Sequence, residues 1–198
     1  TINGKQVTAS PDKTILQVCH DQDIDQIPTL CYDEKLPPFG SCFLCVVEVE
    51  GQSRLFPSCS TRVQEGMVIK SNTDKILKMR KNIAELLVAQ APNSKAIQDI
   101  AVRCGVKDVR YPFRNENCVL CGRCVRICKE RAKADALGFM GRGKDRHVDH
   151  PPGRLMDYCK NCICCIMFCP MSVTPCGGPM KKGEERLCVQ CDSQLNAD

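Results

Sequence analysis

The chain has no tryptophan, only three tyrosines and only three histidines in 198 residues. Large aromatic side chains therefore cannot dominate its cores, and something else has to organise the fold. No apolar run approaches the length of a membrane span, and the opening Thr1-Ile2-Asn3-Gly4-Lys5 lacks the apolar stretch of a signal peptide. No glycine-rich phosphate loop follows a strand, and no Ser/His/Asp or paired-carboxylate set can be assembled from spacing. The residues thus argue against a nucleotide site and against hydrolytic chemistry. The length suits two small domains better than a large enzyme with its own deep cleft.

What the chain has in abundance is cysteine, 18 in all. At this density a short secreted chain would be a disulfide scaffold. The spacing opposes that reading, because Cys118, Cys121, Cys124 and Cys128 bring several sulfurs to one point, as a metal centre requires. A reducing, cytoplasmic location is the corresponding expectation. The formal charge of +5 suggests a nucleic-acid partner, but it counts every cysteine as a neutral thiol. With twelve thiolates holding one 2Fe-2S and two 4Fe-4S cores of about +2 each, the net charge falls to about −1. Arg123, Arg126, Lys129, Arg131 and Lys133, crowded around one cysteine group, then read as internal counter-charge. No aromatic residues are interleaved with them, as a nucleic-acid surface would require.

The most specific motif is a pair: Cys118-x2-Cys121-x2-Cys124-x3-Cys128, and Cys159-x2-Cys162-x2-Cys165-x3-Cys169-Pro170. This is the spacing of a two-cluster bacterial ferredoxin, in which the fourth cysteine of each group serves the other cluster. The expected ligand sets are Cys118, Cys121, Cys124 and Cys169 for one 4Fe-4S cluster, and Cys159, Cys162, Cys165 and Cys128 for the other. Lys129 stands where proline usually follows, and roughly 30 residues separate the two groups, yet neither departure removes a ligand. Paired zinc knuckles are the competing reading, although zinc sites rarely use this triple spacing. A second motif, Cys31-x10-Cys42-x2-Cys45-x13-Cys59, is a variant of the plant-type 2Fe-2S pattern with a longer first gap.

The segments TLCYDEKLPPFGSCFLCVVEVEG and LFPSCSTRV resemble the N-terminal 2Fe-2S domain shared by three groups of proteins. These are the large iron-sulfur subunit of complex I, the iron-iron hydrogenases and the diaphorase small subunit of NAD-reducing hydrogenases. The resemblance covers residues 1 to about 175. It implies a β-grasp fold, 2Fe-2S ligands at Cys31, Cys42, Cys45 and Cys59, and electron transfer within a multisubunit oxidoreductase. The implied partners are a flavin subunit using NADH or NADPH and a hydrogenase, formate dehydrogenase or comparable reductase. Whether electrons are bifurcated is not written in the residues. The family's His-x3-Cys-x2-Cys-x5-Cys loop is missing here, replaced by LLVAQAPNSKAIQDIAVRCGV, so that extra cluster should be absent and Cys104 is read as a core residue.

The tail carries half a metal site, Cys176 with Cys188 and Cys191, for a further cluster or for zinc. Its fourth ligand would come from Cys164, Cys104 or a partner, and idle thiols are the alternative. The tail is similar to the start of an iron-sulfur domain in glutamate synthase small subunits, which suggests a docking element for a flavoprotein. Cys19 is read as core, Cys164 as a non-ligand, and His20, His147 and His150 as surface residues.

Periodicity gives the elements. Asn3-Gly4 marks an opening hairpin, Pro11 to Ile24 a helix capped by Ser10 or Asp12, Val46 to Phe56 a second hairpin, and Met67 to Ile69 a last strand. From Thr73 a helix turns Ile76, Leu77, Ile83, Leu86 and Leu87 to one side and ends at Pro92. Ser94 to Cys104 is another, stopped by Gly105, and residues 105–114 read as a linker. The fold expected is α+β: a β-grasp 2Fe-2S domain over 1–72, a helical connector over 73–114, a two-cluster 4Fe-4S ferredoxin domain over 115–175, and a cysteine-containing tail over 176–198. An electron carrier without a substrate site is the functional expectation, with a zinc-bound assembly module as its rival.

Overall fold

In the computed structural model the described residues are 1–150 and 162–171. They divide between two compact units, one comprising Thr1–Tyr32 and Pro38–Glu116, the other Asp33–Pro37 and the chain from Asn117 onward.

The first unit begins with the Asn3-Gly4 turn, whose residues have φ of 49° and 80°, the left-handed pair that such a turn demands. It brings Ile2 back against Lys5 and, in parallel, against Ile69. Helix α1 is Ile15–Asp21. It starts later than the periodicity suggests, because Thr14 forms a full capping box with Gln17, satisfying two backbone donors at once. Ser10 donates to the Asp12 carboxylate instead of capping a helix. Strands β1 (Val46–Val49), β2 (Leu55–Pro57) and β3 (Ile69–Lys70) form an antiparallel sheet in the order β2-β1-β3, with Val47 opposite Phe56 and Val49 opposite Ile69. Ile15, Leu16, Val18 and Cys19 of α1 pack on Ile2, Val47 and Ile69 of the sheet side, together with Cys45 and Cys59. Two cysteines expected to bind metal are thus built into the core.

Helices α2 (Asp74–Gln90) and α3 (Lys95–Arg103) complete this unit. Thr73 caps α2, and Gly105, at φ +71°, ends the run after α3. The buried face of α2 is not the aliphatic stripe expected from its sequence. Leu77 and Leu86 are half exposed, whereas Ile76, Arg80, Ala84, Glu85 and Ala89 face inward. The reason is polar: each buried charge on this face has an oxygen or nitrogen waiting for it, so burial follows hydrogen bonding rather than hydropathy. Glu85 takes the backbone N–H of Arg110 at 2.6 Å and its guanidinium at 2.7–3.0 Å, and Arg110 also reaches Asn82. Residues 105–114 are therefore not a free linker. They run back along α2, and Arg114 and Glu116 donate their N–H groups to the carbonyls of Ala89 and Gln90.

The second unit holds α4 (Arg123–Glu130), a hairpin of β4 (Gly138–Met140) and β5 (His147–Asp149), and the short helix α5 (Cys164–Met167). The hairpin, which the sequence reading leaves without structure, occupies the insertion between the two cysteine groups. Its turn needs Gly141: a Cβ there would stand 2.4 Å from the Asp145 carbonyl oxygen. Leu36, Ile127, Ala132 and Cys164 form one small core, and Cys124, Cys128, Ala136, Leu137 and Val148 another. His20 and His147 are exposed as expected, but His150 is half buried, its Nδ1 2.8 Å from the Ala136 carbonyl oxygen.

The Glu85–Arg110 pair yields a pH-dependent expectation. The Arg110 guanidinium and N–H hold the Glu85 carboxyl at about 2, against an ordinary 4.5. A lowered carboxyl pKa means stability that is complete above the unfolded value and lost as pH falls toward the folded one. Glu85→Gln should lower the thermal midpoint by the same amount at every pH from about 8 to about 5, the deficit narrowing only below about 4.5. Thermal unfolding followed by circular dichroism checks this, and a deficit that changes within the neutral range contradicts it.

Candidate metal centres

Four thiols converge in the first unit. Cys31 and Cys45 are 1% exposed and Cys59 not at all, while Cys42 is half buried. Local structure carries each of them. Cys45 immediately precedes β1, and Cys59 follows β2, where the Ser58 N–H donates to the Cys45 carbonyl at 3.0 Å. The first turn of α1 clasps the Cys59 segment, with Leu16 and Ile15 donating to the Ser58 and Thr61 carbonyls. Between Cys42 and Cys45 the chain turns through Phe43 at φ +57°, a left-handed conformation that costs a non-glycine residue about 1–2 kcal/mol. Gly40 turns at φ +65°, where a Cβ would meet Ser60 Oγ at 3.0 Å.

The electrostatics show how closely the sulfurs stand. Hydrogen bonds from the thiols of Cys42 and then Cys59, joined by the N–H groups of Cys42 and Ser41, pull Cys31 far below the usual thiol range. Cys59 likewise lowers Cys45, to about 7, with help from its own N–H and the Ser58 hydroxyl. The donors Cys42 and Cys59 are pushed up, first by the charge they serve and then by burial. Ser58 is wholly buried, and its hydroxyl finds no oxygen or nitrogen partner; it bears on the Cys45 sulfur. Buried thiols met by backbone N–H groups and an otherwise orphaned hydroxyl are the donor set that a cluster ligated by four thiolates requires. The residues present therefore fit a 2Fe-2S group. Among the described residues, no three His, Cys, Asp or Glu side chains stand in the geometry of a single bound ion.

In the second unit Cys118, Cys121, Cys124 and Cys169 lie within one another's fields. Burial raises Cys121 and Cys124, the latter to about 12, and negative charge at the neighbouring cysteines of this set adds to it. The Cys118–Cys124 loop uses Leu120 at φ +54°, whose N–H points at Cys118 Sγ, 3.3 Å away, and Gly122 at φ +72° starts α4. Burial also raises Cys128, which feels Cys162, and its sulfur accepts the Ala136 N–H at 3.2 Å. Cys165 packs beside Cys124 and Cys128. Cys164 is buried among Leu36, Ile127 and Ala132. Cys159 and the tail cysteines Cys176, Cys188 and Cys191 lie outside the described residues.

Of the basic residues expected as counter-charge, Arg123 bears on the Cys121 thiol, its charge favouring the thiolate. Arg123 pairs with Asp33, Arg126 donates to the Pro37 carbonyl at 2.6 Å, and Lys129, Arg131 and Lys133 are exposed. Among the described residues the deeply buried cation is Arg80, which no motif flagged, because a lone arginine on an amphipathic helix normally faces water. Ser58 was equally invisible, its one sequence signal being that it adjoins Cys59.

Comparison with known proteins follows the same division. Residues 1–74 match the 2Fe-2S iron-sulfur cluster binding domain family. Over a longer span, the chain is 33% identical across 198 residues to one of the NADH-quinone oxidoreductase subunits of Rhizobium meliloti, an alignment covering 86% of this chain and 23% of that one. It is 32% identical over 204 residues to the NADP-reducing hydrogenase subunit HndD of Solidesulfovibrio fructosivorans, covering 86% of this chain and 34% of the relative. The mitochondrial 78 kDa subunit of the NADH-ubiquinone oxidoreductase of Neurospora crassa is 33% identical over 175 residues, covering 75% of this chain and 23% of the relative. The resemblance to the large iron-sulfur subunit of complex I and to hydrogenase subunits is therefore borne out, and the chain spans about a quarter to a third of these curated relatives. The fold is also that of a chain in the crystal structure of an NAD+-reducing [NiFe]-hydrogenase, at a TM-score of 0.69 and 24% identity over 77% of this chain and 74% of that one.

The loop around Cys42 provides a direct check. Gly40→Val places a branched side chain where φ is positive and Ser60 is close, so the yield of the 2Fe-2S chromophore per chain should fall several-fold, measured by visible circular dichroism. Full chromophore content in this variant would show that the loop geometry does not govern the site.

Proposed function

We propose that this chain is an electron-relay segment of an NADH- or NADPH-linked oxidoreductase, carrying one 2Fe-2S and two 4Fe-4S clusters. The observation that carries the reading is the gathering of two thiol sets, Cys31, Cys42, Cys45 and Cys59 in one unit and Cys118, Cys121, Cys124 and Cys169 in the other. Cys159, Cys162, Cys165 and Cys128 are the third set. Residues 115–175 are on this reading a two-cluster ferredoxin domain, and the tail cysteines belong to a docking element for a flavoprotein. The partners are a flavin subunit that oxidises the pyridine nucleotide and a catalytic subunit such as a hydrogenase or formate dehydrogenase. The relatives' names, all subunits of NADH- or NADPH-linked enzymes or of an NADP-reducing hydrogenase, support that class of partner.

The clusters, when bound, supply one-electron redox chemistry. The chain's residues do the rest. Burial of Cys31, Cys45 and Cys59 keeps water from the sulfurs, and N–H groups of Ser41, Cys42 and Leu44 spread the negative charge over the loop. The half-buried Cys42, next to the exposed Phe43, is the edge of the site nearest to solvent and the natural approach for a partner's redox group. Among the described residues no helix is long and apolar enough to cross a membrane.

The test is composition and spectroscopy of the chain purified without air. It should be brown, with about ten iron atoms and matching acid-labile sulfide. Cys128→Ala should damage the cluster held by Cys162 and Cys165, and Cys118→Ala the other cubane, as seen by electron paramagnetic resonance of the reduced protein. A colourless, zinc-bearing protein would instead establish the assembly-module reading, and loss of one and the same cubane in both variants would overturn the crossed ligand sets.

A further inference from the structure

Among the described residues, no carboxylate stands in ion-pair contact with the buried Arg80. Arg80 projects from α2, is 5% exposed, and donates through Nη2 to the Val46 carbonyl at 2.8 Å. Its Nε is buried and makes no hydrogen bond. Among the described residues, the groups whose negative charge reaches the guanidinium are Asp25, Cys104, Cys45 and Cys19. Asp25 bears on it most but makes no ion-pair contact with it, its carboxylate accepting a hydrogen bond from Ser71, and burial pushes up the thiols of Cys104 and of Cys19, the latter to about 11. Arg123, by contrast, has a carboxylate partner, Asp33.

A guanidinium desolvated in a protein interior against one neutral carbonyl is costly, and an aliphatic side chain of similar size would fill this place at lower cost. Asp25 offsets part of that cost from a distance, and a second negative charge on the Val46 side would offset more of it. Arg80 bonds to the peptide that follows Cys45, a ligand in the site described above, and four thiolates around a 2Fe-2S core leave a net charge of about −2, or about −3 after reduction. We propose that Arg80 is the fixed counter-charge of the 2Fe-2S cluster, a positioning residue that raises its reduction potential through the Cys45–Val46 segment. The inference rests on the reading that this unit holds that cluster. Reduction adds one electron from a donor such as dithionite, forms no bond and takes up no proton, since Arg80 stays protonated throughout. A guanidinium suits the task because its charge does not titrate and its planar fork can hold the carbonyl while facing the sulfur.

Redox titration of the full chain with dithionite, followed by electron paramagnetic resonance, separates the outcomes. Arg80→Gln keeps a donor for the Val46 carbonyl but removes the charge, and Arg80→Lys keeps the charge but removes the fork. The glutamine variant should make reduction of the 2Fe-2S cluster about tenfold less favourable, a shift of ~59 mV to lower potential for a one-electron couple. The lysine variant should stay near the wild type, and the 4Fe-4S signals should not move in either. If Arg80→Gln fails to retain the cluster while Arg80→Lys retains it, the requirement for charge stands. A wild-type potential in Arg80→Gln, equal shifts in both variants, or loss of the cluster in both would overturn the proposal. Absence of any 2Fe-2S signal in the wild-type chain would refute the cluster reading itself, independently of Arg80.

Discussion

Thiolate sulfurs must be brought together inside a small protein, and their like charges and burial oppose it. Burial, and after it the charge of neighbouring cysteines, raises Cys121 and Cys124 in the second unit, and in the first the hydrogen bonds that Cys59 gives to Cys31 and Cys45, and then burial, raise Cys59. The surrounding structure can be understood as the means of offsetting that cost. Cys45 and Cys59 sit in the core between α1 and the sheet, so the packing that stabilises the unit also presses the sulfurs together. Backbone N–H groups then turn inward, and the chain accepts left-handed residues at Phe43 and Leu120 to aim them.

Both cysteine loops solve the problem in the same manner on unrelated frameworks. Each has a positive φ at a non-glycine residue between two cysteines, and each leads directly into a regular element, β1 in one case and α4 in the other. The loop supplies direction and the element supplies rigidity. Polar contacts hold the flanks: the capping box of α1 fixes the helix that clasps the Cys59 turn, and the Glu85–Arg110 pair fixes residues 105–114 along α2. In the second unit the Arg123–Asp33 pair ties Asp33–Pro37 to α4.

Charge explains why the connecting helix looks unlike its sequence pattern. An amphipathic stripe through Leu77 and Leu86 is the obvious inward face, yet those leucines are half exposed while Arg80 and Glu85 are buried. Each buried charge is met by a specific partner, Arg110 for Glu85 and the Val46 carbonyl for Arg80. Hydropathy averages over residues and cannot register a single partner that arrives from 25 or 34 positions away.

The sequence by itself determined which cysteines can come together, Cys31, Cys42, Cys45 and Cys59 in one group and Cys118, Cys121 and Cys124 in another, because covalent spacing limits where a thiol can reach. Two or three residues between cysteines suffice to wrap one corner of a cluster whatever the remaining chain does. It also determined the Asn3-Gly4 turn, the breaks at Pro92 and Gly105, and the presence of strands around Val46 and Leu55, all properties of a few adjacent residues. Tertiary structure alone decided the inward face of α2 and the burial of Ser58 and Arg80. Those depend on desolvation, and whether a hydroxyl or a guanidinium is desolvated is set by neighbours distant in the chain rather than by its own flanking residues.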